Sequence, residues 1–255
     1  MKAVILAGGF GPRISKESHL RPKPMIEIGG RPLLWHIMKL YSAYGVYEFI
    51  ICAGCMQHMI KEYFANYYLH SSDITFDFTR GGMVTVHSNE AEPWTVTVAD
   101  TGLHTMTGGR ISRVRSYIGE EPFFLTDGDG VADIDIGALL QFHRTKKKLA
   151  TITAVNAQQR FGVVETDKAG LVTDFREKSG VDSINGGFMV LEPGVFNYIQ
   201  GDETMFEREP MARLAANGQL AAYRHMGFWQ CMDTLREKAM LEELWAGGKA
   251  PWKVW

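Results

Sequence analysis

No apolar run in this 255-residue chain approaches the ~20 residues that a membrane-crossing helix requires. An excess of positive charge is missing too. Lys and Arg number 27 against 29 Asp and Glu, a formal net charge of −2. There is thus no broad field for nucleic acid or an anionic membrane, and any phosphate has to be met locally. Cysteine is scarce. Cys52, Cys55 and Cys231 are an odd count, and the C-x-x-C pair lacks the second pair or nearby His cluster that would complete a zinc site. Reduced thiols at the end of the apolar run FIICAGCM are the expectation. The chain also lacks internal repeats, low-complexity tracts and a Pro/Ser-rich linker. It enters an apolar strand by residue 3, which leaves no space for a signal peptide. These absences predict a cytoplasmic, single-domain protein with no nucleic-acid or membrane partner. What is present is ordinary for a globular enzyme: 45% hydrophobic and 22% charged residues, in a chain long enough for a sizeable core.

Strand and helix alternate through the first two-thirds. Short apolar runs predict strands at 3–7, 48–52, 122–126 and 150–155, and helical periodicity predicts helices at 33–43, 56–67 and 135–145. In the first helix Leu33, Leu34, Ile37, Met38 and Tyr41 form an apolar face, with Gly45 as the stop. Repeated βα units of this size imply an α/β fold: a mixed, mostly parallel, Rossmann-like sheet flanked by helices. Residues 74–100 break the rhythm. ITFDFT, MVTVHS and TVTVAD alternate with period two and no helix intervenes, which predicts a small antiparallel insertion. Further strands are expected at 162–166, 171–177 and 184–191, then helices near 193–199 and 205–216. A last amphipathic helix is expected over 234–246, with Leu235, Met240, Leu241 and Leu244 as its apolar positions.

Ligands of such sheets lie beyond the carboxyl ends of the strands, where several residues with chemistry fall. Gly8, Gly9 and Gly11 follow the first strand and, lacking Cβ atoms, let backbone N–H groups turn towards a large anion. The pattern is neither a P-loop nor a dinucleotide fingerprint, and taken alone it is a tight βα turn. Arg13 adds a planar two-pronged donor. Lys23 sits between Pro22 and Pro24, which hold the backbone extended and aim one ammonium. A donor loop with two fixed cations suits a nucleoside triphosphate. The run FFLTDGDG ends an apolar strand in Asp127 and Asp129, which either build a turn or bind a hard cation such as Mg²⁺ through one or two carboxylates. Thr107-Gly108-Gly109-Arg110 opens a helix with Thr107 as a reasonable N-cap. Glu177-Lys178 closes a strand, and Asn185-Gly186-Gly187 reads as a turn or bulge.

Taken together, G-G-x-G-x-R followed by P-K-P resembles the signature of the sugar-1-phosphate nucleotidyltransferases. The segments KEYFANYYLHSSD (61–73), MTGGR (106–110), GDGVAD (128–133), INGGF (184–188), GFWQCMDT (227–234) and GKAPWKVW (248–255) are similar to that family's cytidylyltransferase branch, so the resemblance spans the chain. It implies transfer of CMP from CTP to glucose 1-phosphate with release of pyrophosphate, Mg²⁺ as cofactor, and a role in deoxysugar and O-antigen-type polysaccharide synthesis. Residues 1–160 would form the nucleotide- and metal-binding core, and 161–255 the sugar-phosphate-binding and oligomerisation part. By resemblance, Leu6, Ala7, Gly8, Gly9, Phe10, Gly11, Pro12, Arg13, Lys23, His104, Thr107, Gly109 and Gly128 meet the nucleotide, with Arg13 and Lys23 catalytic. Glu177, Lys178, Asn185 and Gly186 hold the sugar phosphate. Asp129 and Asp233, the latter closing W-x-x-x-D at 229–233, hold the metal.

Three positions depart from the family pattern. Pro12 stands where the resemblance implies threonine, Asp127 where it implies tyrosine, and His104 where it implies a small polar residue. They leave a sibling enzyme with another base or sugar open. The D-x-D at 127–129 also resembles the metal site of nucleotide-sugar-dependent glycosyltransferases, a different class. Finally, the resemblance implies a homo-oligomer, hexamer favoured. Trp252 and Trp255 are costly to leave in water, so the tail is expected to fold back on its own subunit or to dock on a neighbour.

Overall fold

The computed structural model describes residues 1–9, 21–156, 163–166, 172–176 and 183–255. Phe10, Gly11, Pro12, Arg13, Glu177 and Lys178 lie outside the described residues. Seven strands form one sheet: β1 (Lys2–Ala7), β2 (Glu48–Ala53), β3 (Thr95–Asp100), β4 (Phe123–Asp127), β5 (Ala150–Asn156), β6 (Ser183–Leu191) and β7 (Leu220–His225). Their spatial order is β7-β5-β6-β4-β1-β2-β3. All run parallel except β6, which is antiparallel to both its neighbours. From β1 the chain moves to one side for β2 and β3, then returns to the other side for β4. That reversal leaves a crevice at the carboxyl ends of β1 and β4.

Helices α1 (Leu33–Ser42), α2 (Gln57–Ala65), α3 (Thr107–Arg113), α4 (Ile136–Lys146), α5 (Glu209–Ala216) and α6 (Leu235–Ala246) complete the main elements. Successive strand side chains point to opposite faces, and both faces are covered, which is why the central strands read as continuous apolar runs. On one face Ile5, Phe124, Phe188 and Val190 pack with Leu33, Ile37 and Tyr41 of α1, Leu139 of α4 and Leu241 of α6. On the other, Val4, Leu125, Met189 and Leu191 pack with Ile111 of α3, with Leu214 of α5 and with Phe206, which precedes α5.

Four expectations need correction. Only Ser72–Asp77 and Met83–Asn89 pair antiparallel. TVTVAD is β3, parallel to β2 at the edge of the main sheet. Alternation marks a half-exposed strand and carries no information about its direction. Neither β7 nor the short strand Trp229–Cys231 was expected, because edge and three-residue strands give little apolar signal. The segment at 193–199 is a 3₁₀ turn over Pro193–Tyr198. In α6, Leu235 is 55% exposed, while Leu241 is buried. The three cysteines are free, as expected. Among the described residues no helix is long and apolar enough to cross a membrane. The tail folds back on its own subunit: Trp252 is buried and stacks on Phe228 and Trp245, and Trp255 meets Trp35 edge-on.

Candidate active site

Where β1 and β4 end, the Gly128 N–H donates to the Leu6 carbonyl at 3.0 Å. A Cβ on Gly128 would lie 2.6 Å from that oxygen and 2.9 Å from Pro24 Cγ, so this close approach admits only glycine. A cavity of about 260 Å³ opens here, lined by Leu6, Ala7, Gly8 and Gly9, by Lys23 and Pro24, by residues 105–107 and Arg110, and by residues 127–129. A larger cavity of about 450 Å³, beside Arg21, Arg31, Tyr63 and Tyr67, has no lining residue from the sheet and lies off the switch point.

Lys23 opens a 3₁₀ turn, Lys23–Met25, entered from the extended Pro22 (φ −65°, ψ 146°). Its Nζ reaches Asp129 Oδ2 at 3.2 Å and also donates to Asp233 Oδ1. Two three-residue strands bring those carboxylates together. Gly130–Ala132 pairs antiparallel with Trp229–Cys231, and the Met232 N–H donates to the Asp129 carbonyl at 2.7 Å. Asp233 is held further by the start of α6, where Glu237 Oε2 accepts from the N–H groups of Asp233 (2.7 Å) and Thr234 (2.8 Å). Cys231 Sγ donates to Asp233 Oδ2 at 3.1 Å. Burial, helped by the Asp233 hydrogen bond and charge, pushes that thiol up to about 12, so it stays protonated as a donor. Burial opposes ionisation of Asp233, yet the hydrogen bonds from Lys23 and Cys231 prevail and hold its carboxyl below the usual range. Burial likewise pulls on Lys23, but the two carboxylates outweigh it and its ammonium is held above its ordinary value.

The model of the family described as nucleotidyl transferase matches residues 2–234. The chain belongs to that family. The glucose-1-phosphate cytidylyltransferase of Salmonella typhimurium is 54% identical, covering the whole of both chains. The probable glucose-1-phosphate cytidylyltransferase of Bacillus subtilis is 45% identical over the same full extent. Among solved structures, HddC from Yersinia pseudotuberculosis shares the fold with a TM-score of 0.70 at 20% identity, over 96% of this chain and 99% of that one.

Membership among the nucleotidyl transferases sets aside the glycosyltransferase reading of D-x-D. Asp127 instead leans over Gly187, where a Cβ would collide with its carboxylate. Burial first, then the charges of Asp129 and Glu207, push its pKa up to about 7, with Lys23 pulling the other way. Among the described residues no group of three or more His, Cys, Asp or Glu converges as a metal cluster. The donor set that does converge is Asp129 and Asp233 on one cation. Two hard oxygen ligands fit Mg²⁺, which takes one or two carboxylates and completes its shell with phosphate and water.

Sequence reasoning missed Arg110 as a site residue. Its side chain is buried, and its guanidinium donates to Thr101 Oγ1 (2.8 Å) and to the carbonyls of Gly102 (2.8 Å), Leu103 (3.3 Å) and Ala53 (3.4 Å). No carboxylate pairs with it among the described residues. Burial lowers its pKa from the ordinary value, and it is one of the residues that line the cavity. Gly8 is glycine because a Cβ there would collide with this guanidinium. In the same way, a Cβ on Gly54 would lie 2.5 Å from the Gly8 carbonyl.

Thr107 lines the cavity but is the first residue of α3, not its N-cap. Met106 holds the cap position without a side-chain bond. The Thr107 hydroxyl is spent on Glu207 Oε2 at 2.6 Å and on the Phe206 N–H at 2.9 Å. Gly109 packs against Asp202, 2.6 Å from a built Cβ to its Cα, and His104 is exposed. Neither lines the cavity. Asn185 Oδ1 accepts from the Gly187 N–H at 3.1 Å. The Gly186 carbonyl accepts from Trp229 Nε1 at 2.7 Å, which ties this bulge within β6 to the strand that leads into Asp233.

Proposed function

We propose that this nucleotidyl transferase is a glucose 1-phosphate cytidylyltransferase, converting CTP and α-D-glucose 1-phosphate into CDP-glucose and pyrophosphate with Mg²⁺. Full-length identity of 54% to a relative of that name carries the reading, and the convergence of Lys23, Asp129 and Asp233 at the cavity edge supports the chemistry. The sugar phosphate oxygen is already an anionic nucleophile and needs no general base. It bonds to the α-phosphorus while the bond from that phosphorus to the departing pyrophosphate oxygen breaks. The barrier lies in bringing anions together, so positioning and preorganised positive charge dominate.

Lys23 would meet the α-phosphate and the incoming phosphate. Gly8 and Gly9 would let the nucleotide lie against the end of β1, with Gly11 and Arg13 holding the β- and γ-phosphates. Arg110 would supply a fixed cationic donor at the cavity wall. Glu177, Lys178, Asn185 and Gly186 would hold the sugar phosphate. Mg²⁺ on Asp129 and Asp233 would neutralise phosphate charge as it develops. The product would serve deoxysugar and O-antigen-type polysaccharide synthesis in the cytoplasm.

A matrix of CTP, UTP, dTTP, ATP and GTP against several sugar 1-phosphates, read by pyrophosphate release, tests this. CTP with glucose 1-phosphate is expected to exceed every other pair, and a different best pair overturns the assignment. A sibling specificity is the second reading. It is favoured by Asp127, which puts a carboxylate in the cavity wall. The protein is also proposed to be a homo-oligomer, hexamer favoured. The hairpin formed by Ser72–Asp77 and Met83–Asn89 exposes Phe76, Met83, Val84 and Val86, with Phe78 between its strands 84% exposed, and clustered apolar exposure of this kind marks contact surfaces.

A further inference from the structure

We infer that Lys23 is an exchangeable counter-ion, so that metal binding and delivery of the Lys23 ammonium to phosphate are a single coupled event. This rests on the proposal that Asp129 and Asp233 are the metal ligands. Lys23 Nζ bonds to one oxygen of each carboxylate, the same groups that a divalent ion would require. Two carboxylates drawn to one point repel unless a cation stands between them. The rigid pairing of Gly130–Ala132 with Trp229–Cys231 and the Glu237 clamp fix both carboxylates in place. The lysine is the movable member: a compact ammonium on a flexible stem.

A metal taking those oxygens displaces Nζ. Lys23 already lines the cavity on the switch-point side, so the displaced ammonium moves towards the place proposed for the phosphates. Its side chain is only 11% exposed, and a cation left there without a partner is unfavourable. Metal alone therefore competes poorly with Lys23. Metal arriving with a triphosphate gives the ammonium a new partner and binds tightly. The pair thus favours the metal–nucleotide complex over free metal.

Titration of Mn²⁺ into nucleotide-free protein, followed by electron paramagnetic resonance, tests the exchange. Lys23→Met is expected to bind Mn²⁺ at least about tenfold more tightly than wild type, the scale of one lost partly buried ion pair. Arg21→Gln removes the nearest cation in sequence, one already engaged with Glu27 at 2.6 Å, and is expected to stay within about twofold. If Asp129→Asn and Asp233→Asn bind Mn²⁺ as wild type does, the metal-ligand assignment itself fails. If they lose Mn²⁺ while Lys23→Met binds no more tightly than Arg21→Gln, the assignment stands and the exchange is wrong. A measurement on the wild-type chain guards against misfolding of Lys23→Met. Acylation of Lys23 by an amine-directed reagent, read by mass spectrometry, is expected to accelerate severalfold once Mg²⁺, without nucleotide, is raised high enough to saturate the weak site. An unchanged or slower rate overturns the exchange.

Discussion

Lys23 answers to two carboxylates in the fold and, in the proposed reaction, to two phosphates. Lys23→Ala is expected to lower turnover by at least ~10²-fold, the usual scale for one preorganised charge donor, with an unchanged circular dichroism spectrum. Wild-type turnover in the folded variant would remove it from catalysis. Gly8 is a second single-residue test. Its Cβ would strike the Arg110 guanidinium, so Gly8→Ala is expected to raise the nucleotide KM severalfold with a smaller effect on kcat. An unchanged KM would mean that Arg110 yields without consequence. At this scale the sequence was only partly legible. The Gly-Gly pair reads as a loop open to phosphate, whereas Gly8 is fixed by an arginine a hundred positions away. Arg110 itself left no signal: it falls in the last turn of α3, where a cation suits the helix dipole and reads as ordinary.

Longer elements were easier to read than short ones. The strands β1, β2, β4 and β5 and the helices α1 and α4 fall within a residue or two of their expected bounds, because burial on both faces or a full helical stripe leaves a long apolar pattern. Edge strands and the three-residue pair at Asp129 and Asp233 leave none, and Asp233 was marked only by family resemblance. Its geometry depends on one helix start. Thr234 and Glu237 form a capping box at α6, each side chain bonding the other's backbone N–H. Thr234→Ala is expected to cost about 1 kcal/mol of stability and to raise the Mg²⁺ concentration for half-maximal activity, because the Glu237 clamp on Asp233 loosens. Denaturant unfolding and a Mg²⁺ titration measure the two effects. Loss of stability with an unaltered Mg²⁺ requirement would separate the cap from the site.

For the molecule as a whole, His36 is one source of acid sensitivity. It is opposed over the same range by Asp127, whose raised pKa makes the native chain take up a proton before the unfolded chain does. The ring is fully buried; Nε2 lies 2.8 Å from the Ile28 carbonyl and Nδ1 accepts from Trp252 Nε1 at 3.3 Å. Both contacts suit the neutral ring, and burial pushes its pKa down from 6.5 to about 4. The stability held by the neutral form is complete above pH 6.5. It falls as pH drops from 6.5 towards 4, because the unfolded chain takes up a proton that the native chain refuses. At about 1.4 kcal/mol per pH unit, roughly 2 kcal/mol is lost by pH 5. On going from pH 7 to pH 5, the melting temperature of wild type is expected to fall relative to that of His36→Asn, and an unchanged offset would exonerate this ring. Light scattering is expected to show a homo-oligomer, and a 28.6 kDa particle at micromolar concentration would refute it. Ending the chain at Gly248 removes Trp252 from the core and is expected to lower the melting temperature.

The Lys23–Asp129–Asp233 cluster also has a meaning in time. Its members come from the beginning, the middle and the last tenth of the chain. A ribosome-bound polypeptide that has emerged through β6 possesses the lysine and the first aspartate but neither the second nor the α6 cap that sets it. If the cluster holds the metal-bound triphosphate as proposed, such a half-made product would lack a complete place for it and would not sequester nucleotide during synthesis. On the proposed assignment, catalytic competence would arrive only once Asp233 and the start of α6 have been made, which would make turnover a sensitive reporter of correctly closed molecules in any preparation.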